Sequence, residues 1–484
     1  MSSAPEPTRA RASESRSAEE SPAKPSSRVE EAAKTPARLN RNLQSGLLTA
    51  GSFDDIARFD SFRDFLSKTM QNDPRETYPR FAIGQRVVIE VVDGQGQPVG
   101  DARVVVQSSE SAQANDRKSL LDLRTGSDGR VMLLTGMDGN SADGEFVVTV
   151  TPPNGDKSST HTRSSDEATW KITLDAVEHA APKQLDLALV IDTTGSMGDE
   201  LEYLKVEIDS ISAAIARMFP EVDQRYAVIL YRDEGDEYVT RAFDFTDSLL
   251  TFRETLAEQS ANGGGDYPEA MHLALEQAAD LSWRERNTAR VMFLVGDAPP
   301  HDQHAARAMS AAQRLREQGV RAYPIAGSGV AWQAEFIMRA TSFLTMGQYL
   351  FLTDHSGVGN PHAKPHVPEY QVERLDRLMI RMIASELAGK RLAPAEVIAI
   401  ERGDDSESGP PDPSAAPPAP VDPQAIDNPR PDAPAAEPPV PQGEASTESP
   451  SAGLTMSKSR WLFFALLLAS VFAYDAFTDR RRNH

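Results

Sequence analysis

Apolar and polar positions change rhythm four times along this chain of 484 residues. Residues 1 to about 45 have no apolar period and are rich in Ser, Ala, Pro, Glu and Arg, which predicts a disordered segment. In "GSFDDIARFDSFRDFLSKTM", Phe53, Ile56, Phe59, Phe62 and Phe65 recur at three-to-four spacing. That spacing predicts one amphipathic helix over 50–70. A helix lying on a membrane surface would carry a basic polar face, so this one is expected to pack on the next domain. From Arg80 the rhythm becomes short alternating runs: "RVVIEVVD", "ARVVVQS", "GRVMLL", "EFVVTV" and "TWKITL". Turns of Gly, Asp and Pro separate them, and they predict a small all-β sandwich over 80–176.

Residues 183–390 alternate continuous apolar runs with helical patterns. "LDLALVI", "RYAVILY", "RVMFLVG", "VRAYPIA" and "QYLFL" read as buried strands, and "DELEYLKVEIDSISAAIARMF" and "AARAMSAAQRLREQ" as amphipathic helices. The expectation is an α/β fold, a doubly wound and mostly parallel sheet, closed by a helix near 370–387. Residues 403–457 are rich in Pro, Ala and acids and predict an extended linker. "WLFFALLLASVFAYDAF", residues 461–477, then predicts a transmembrane helix, with Trp461 at one edge and Arg480, Arg481 and Arg482 beyond the other. The basic residues favour a large N-terminal part in the cell envelope. The N-terminal stretch has no apolar core and does not read as a secretory signal. A tail-anchored protein facing the cytoplasm is therefore the alternative topology.

Composition narrows the chemistry. The formal net charge of -22 opposes broad nucleic-acid binding, which needs a basic face. The absence of cysteine removes disulfides, thiolate metal sites and a cysteine nucleophile.

In an open α/β sheet, ligands bind beyond the carboxyl ends of the strands. Three loops fall there. The first holds Asp192, Thr194 and Ser196, directly after a strand; the second, "GGGDYPEA", holds Asp266; the third, "LVGDAPPH", holds Asp297. In an extended loop the alternating oxygens of Asp192, Thr194 and Ser196 point the same way. Hard divalent cations require such oxygen donors. Each loop alone reads as a helix cap or an ordinary turn. It is their coincidence at one sheet edge that points to a metal. His301 and His304 read as surface or cap residues, and His355, His362 and His366 lie in a Pro/Gly loop without the tight pairing of zinc ligands.

These three loops, in this order, resemble the metal-ion-dependent adhesion site of a von Willebrand factor type A domain, with the resemblance running over 183–353. Asp192, Thr194 and Ser196 match its Asp-x-Ser/Thr-x-Ser element, Asp297 its late Asp, and Asp266 stands where the second element is often threonine. The resemblance implies a Mg2+ (or Mn2+/Ca2+) site on a binding module rather than an enzyme, taking a protein partner with an exposed acidic side chain. The sandwich resembles carboxypeptidase-regulatory or transthyretin-like modules, which implies a spacer. Two alternatives stand beside this. One is a hydrolase or phosphotransferase of the aspartyl-phosphate type, for which the first loop lacks the charge-stabilising lysine. The other is a cytosol-facing partner of an ATPase.

Overall fold

The computed structural model describes residues 48–402, except 74–77, 115–117, 140–143, 156, 176, 178–179, 266, 328 and 355–363. The predicted N-terminal disorder, the linker, the transmembrane helix, Asp266, His355 and His362 all lie outside the described residues. Among the described residues no helix is long and apolar enough to cross a membrane.

The chain opens with β1 (Thr49–Phe53) and α1 (Phe59–Asn72). Then come β2 (Arg86–Asp93), β3 (Arg103–Ser108), α2 (Ser109–Gln113), β4 (Leu121–Arg124), β5 (Arg130–Leu134) and α3 (Thr135–Asp138). They are followed by β6 (Glu145–Thr151), β7 (Ser159–Ser164) and β8 (Thr169–Leu174). The α/β region runs β9 (Gln184–Asp192), α4 (Gly198–Met218), β10 (Asp223–Tyr231), β11 (Thr240–Thr246), α5 (Leu249–Ala257), α6 (Met271–Asp280) and β12 (Thr288–Gly296). It ends with α7 (Ala305–Glu317), β13 (Arg321–Ala326), α8 (Trp332–Leu344), β14 (Tyr349–Thr353), β15 (Val372–Arg374), α9 (Leu375–Ala388) and α10 (Pro394–Arg402).

Eight strands form one sheet in the order β11-β10-β9-β12-β13-β14-β1-β15. The five central strands β10, β9, β12, β13 and β14 are parallel, and β11, β1 and β15 are antiparallel to their neighbours. Strand alternation divides the core between the two faces. Leu185, Leu187, Leu189 and Ile191 of β9 pack with residues of α4, α5, α9 and α10. Ala188 and Val190 pack with α6, α7, α8 and α1 on the other side. Both faces are covered, which is why these strands read as unbroken apolar runs. Each fully buried Leu or Ile contributes roughly 1.5–3 kcal/mol. Helix α9 stops at Gly389, whose φ of 65° closes the helix in the left-handed region.

The single helix expected over 50–70 is in fact a strand, a turn and a helix. Residues 49–53 pair with Tyr349–Thr353 in the large sheet, and the helix begins only at Phe59. Asp54 explains the break: its carboxylate accepts from the backbone N–H of Ile56 and Ala57, a local turn that competes with helix. The sheet is thus built from two separated pieces of sequence, with residues 78–175 inserted between them.

That insertion folds as a three-stranded sheet, β5-β2-β8, facing a four-stranded sheet, β4-β3-β6-β7. Alternate residues of both, among them Val87, Ile89, Val104, Val106, Val148, Val150, Trp170 and Ile172, make a core of their own. Ion pairs hold the insertion to the large sheet: Arg316 to Asp138 at 2.7 Å and Arg321 to Asp128 at 2.7 Å. Arg321 opens β13, so the insertion sits at the amino ends of the parallel strands and leaves their carboxyl ends clear.

Candidate functional site

Asp192 is the last residue of β9 and is fully buried. Its Oδ1 accepts from Thr194 N–H at 2.9 Å and from Thr194 Oγ1 at 2.6 Å. The Thr194 hydroxyl lies 3.3 Å from that of Ser196. The loop therefore curls round one carboxylate oxygen. The other, Oδ2, is buried and accepts no hydrogen bond of good geometry. Burial, and then the charge of Asp297, push the Asp192 carboxyl from 3.8 up to about 7 against the opposing bonds from Thr194 and Tyr231. Tyr231, at the end of the neighbouring β10, buries its hydroxyl against the Asp192 carboxylate, and burial and that charge push its pKa well up. Gly296 in "VGD" makes room: a Cβ there would stand 2.3 Å from Tyr231 Oη and 3.3 Å from Asp192 Cβ.

Asp297 follows β12 directly and is 7% exposed. Burial raises its pKa, the Ser196 hydroxyl opposes that by hydrogen bonding, and the nearby charge of Glu200 adds to it. The structure thus brings Asp192, Thr194, Ser196 and Asp297 together. Asp266 lies outside the described residues, and Glu269, three residues on, is brought in by the same loop. Its backbone N–H donates to Pro299 O at 2.9 Å, which fixes the second loop to the third. A Cβ on Gly264 would lie 3.2 Å from both Glu269 Oε1 and Thr194 Cβ, so the carboxylate faces the first loop across a glycine. Glu269 Oε2 is buried without a partner. Burial, followed by Asp192, Asp233, Asp236 and Asp297, pushes this carboxyl from 4.5 up to about 9. Sequence reasoning missed it. The available signal was an acid in "YPEA" immediately before the wholly buried start of α6.

Several polar side chains lock the loops. Arg232 is 3% exposed, and donates to Thr193 O at 3.1 Å and to Ser260 O at 2.8 Å. Asn262 N–H donates to Thr193 O at 3.0 Å, and Gly195 N–H to Gly263 O at 3.1 Å. His301 bonds Asp233 at 2.7 Å, a positioning contact rather than a cap. Tyr267 Oη accepts from Ala331 N–H at 2.7 Å and donates to Asp297 O at 3.1 Å. His366 is engaged by Glu335 at 2.6 Å, away from this cluster.

His272 on α6 is fully buried, its ring stacked on His304 at 4.2 Å, with neither nitrogen hydrogen-bonded. Burial, then His304 and Arg307, push it from 6.5 down to about 4. A buried neutral imidazole stabilises the fold fully above the unfolded value near 6.5, and that contribution is lost as pH falls towards about 4. His272→Leu is expected to lose less stability than wild type between pH 7 and pH 4.5, by up to roughly 3 kcal/mol in urea unfolding. Equal losses in the two proteins would refute this.

Residues 186–323 match the von Willebrand factor A domain family. The chain is 30% identical over 132 residues to alpha-protein kinase vwkA of Dictyostelium discoideum, covering 27% of this chain and 21% of that protein. It is 36% identical over 126 residues to a putative ariadne-like RING finger protein of Acanthamoeba polyphaga mimivirus, covering 25% of this chain and 12% of that protein. The chain thus spans about a fifth or less of these relatives' length. Among solved structures, BatB from Bacteroides thetaiotaomicron aligns at 13% identity and TM-score 0.30, over 42% of this chain and 98% of that one. Proximal thread matrix protein 1 of the mussel byssus, solved with a zinc-occupied MIDAS motif, aligns at 16% identity and TM-score 0.26, over 33% of this chain and 39% of that one. With the family match falling on the strands and loops that build the carboxylate cluster, this chain contains a von Willebrand factor A domain.

Proposed function

We propose that the domain binds a divalent cation, Mg2+ (or Mn2+/Ca2+), through Asp192, Thr194, Ser196 and Asp297, with Glu269 and Asp266 from the second loop, and through it an acidic side chain of a protein partner. One observation carries this reading: the buried carboxylates of Asp192, Glu269 and Asp297 form one cluster with no cationic side chain among them in the described residues, and Glu269 Oε2 has no donor. Uncompensated buried carboxylates are costly, and the donors here are all oxygens, which suits a hard cation and not a soft one. When bound, the cation would neutralise the carboxylates and present an electrophilic position to an incoming carboxylate. The chain's own contribution is to hold the oxygens: Thr194 fixes Asp192, Ser196 bonds Asp297, and Arg232 pins Thr193 to the second loop.

The inserted sandwich, which resembles carboxypeptidase-regulatory or transthyretin-like modules, serves in this reading as a spacer. In the same reading the sequence of 403–457 would serve as a stalk and that of 461–477 as a membrane anchor, with the site in the cell envelope or, in the alternative topology, facing the cytoplasm. The net charge of -22 gives nucleic acid no part in it. An aspartyl-phosphate enzyme is disfavoured because the first loop has no lysine, and Lys205 on the next helix donates to Glu202 and Gln259 O instead.

Calorimetric titration of Mg2+ into the full chain is the test. Wild type is expected to bind and Asp192→Ala not to. A glutamate-containing peptide should then bind wild type in Mg2+ and be released by EDTA. No binding of Mg2+, Mn2+ or Ca2+ by wild type defeats the reading. Phosphoester hydrolysis abolished by Asp192→Ala would replace it with the enzyme.

A further inference from the structure

At the opposite edge of the sheet, where the inserted sandwich meets the amino ends of β12 and β13, lies a cavity of about 480 Å³. That is within the range of small-molecule sites, roughly 300–1,000 Å³. Its lining includes two buried arginines, Arg290 at 5% and Arg321 at 6% exposure. Arg290 Nη1 donates to Arg284 O at 2.6 Å, and its Nη2 is 3.7 Å from Asp101, a long ion pair. Arg321 Nη1 donates to Thr345 O at 3.1 Å, and its Nη2 to Asp128 at 2.7 Å. The Nε of each is buried with no hydrogen bond, that of Arg321 having only a long ion pair, 3.6 Å, to Glu386. Lys183 and Arg286 add two exposed cations to the same wall.

The lining carboxylates are Asp101 and Glu386, against four cations. Glu386 is shared among Tyr323 at 2.6 Å, Arg391 at 3.3 Å, Ser127 at 3.3 Å and, at 3.6 Å, Arg321, so it neutralises Arg321 only in part. Buried guanidinium donors without acceptors carry a desolvation cost that a bound anion would relieve. Burial lowers the Arg290 pKa, Asp101 and Asp186 oppose this, and the charge of Arg321 adds a smaller push downward. Two of the non-glycine residues with positive φ, Asp101 at 58° and Asn287 at 55°, also meet here, with Asn287 N–H donating to the Asp101 carboxylate. Such conformations persist where surrounding structure enforces them, often at ligand sites.

We propose that this cavity binds a small oxyanion, a phosphate- or carboxylate-bearing molecule, gripped by Arg290 and Arg321 and steered by Lys183 and Arg286. Because the sandwich supplies one wall and the von Willebrand factor A domain the other, the ligand ties the two together. The site is independent of the carboxylate cluster at the far edge.

Calorimetry on the full chain, in chloride of matched ionic strength, tests this with inorganic phosphate and citrate as probes. Saturable binding of at least one is expected; phosphate alone identifies a phosphate site, and tighter citrate a carboxylate site. Lys183→Ala with Arg286→Ala, both exposed and so harmless to folding, is expected to weaken binding about tenfold. Arg290→Lys should weaken it further, while Asp192→Ala leaves it unchanged. Absence of saturable binding by either probe, or equal affinity in the Lys183/Arg286 double variant, overturns the proposal.

Discussion

Asp192→Asn is expected to make the metal-free protein more stable and to remove its thermal response to divalent cations. The Asp192 carboxylate is fully buried, and Asp297 and Glu269 add negative charge around it. An asparagine keeps an oxygen to accept from Thr194 while discarding the charge. A rise from 3.8 to about 7 corresponds to an upper bound of roughly 4 kcal/mol at alkaline pH, and about 1–2 kcal/mol is expected after relaxation. The sign follows from which state holds the proton. A carboxyl raised in the fold is protonated there when the unfolded chain has already lost its proton. Its stabilising contribution is fully present below the unfolded value and is lost as pH rises through the folded one. Metal-free wild type should therefore weaken as pH climbs from about 4 to about 7 through Asp192, and on towards about 9 through Glu269. The variant should lack the first of these losses. Urea midpoints in EDTA at pH 6, 7.5 and 9, with melting temperatures in Mg2+, measure both effects. A variant weaker than wild type in EDTA, or one still stabilised by Mg2+, contradicts the argument.

How much of this was legible in the sequence depends on whether the signal was local. The parallel strands announced themselves because both faces of the sheet are covered, so β9 and β12 carry almost no outward polar residue. Asp192, Thr194, Ser196 and Asp297 were legible because each sits within a few residues of a strand end. Glu269 was not, since its role depends on Pro299 of a distant loop drawing its backbone in. Arg232 was equally hidden: nothing in "YRDEG" says that this guanidinium turns inward to serve backbone carbonyls 39 and 28 residues away. The first strand was misread for a physical reason too. Phe53 and Ile56 fit a helical period by coincidence, while Asp54 turns the chain between them. Pairing of residues 49–53 with residues 349–353 leaves no local trace. The isolated 183–390 segment therefore lacks a strand of its own sheet.

That missing strand is held by the second large-effect site. Arg339→Met is expected to cost about 3–5 kcal/mol, the range for removing one partner of a buried charge network. Arg339 lies on α8 at 0% exposure, with Asp55 and Glu335 each at 2%. Its Nε donates to Asp55 at 3.1 Å, and its Nη1 to Glu335 at 3.3 Å and to His366 O at 3.0 Å. The guanidinium is 3.8 Å from the ring centroid of Phe65. Asp55 is held near 6 because burial outweighs even this cation. Methionine would fill the volume but leave two buried carboxylates without their cation, which is worse than having no network. Asp55 stands between β1 and α1, so the damage should begin there. Hydrogen exchange across residues 49–72 is expected to accelerate more than exchange in β9 or β12, and the urea midpoint to fall. Asp55→Asn should cost less, since it removes a charge rather than stranding two. Combining it with Arg339→Met should restore part of the loss, giving a coupling of about 1–3 kcal/mol in a double-mutant cycle. Strict additivity, or an Arg339→Met loss under about 1 kcal/mol, would mean that the aromatic cage and not the ion network holds the first strand in the sheet.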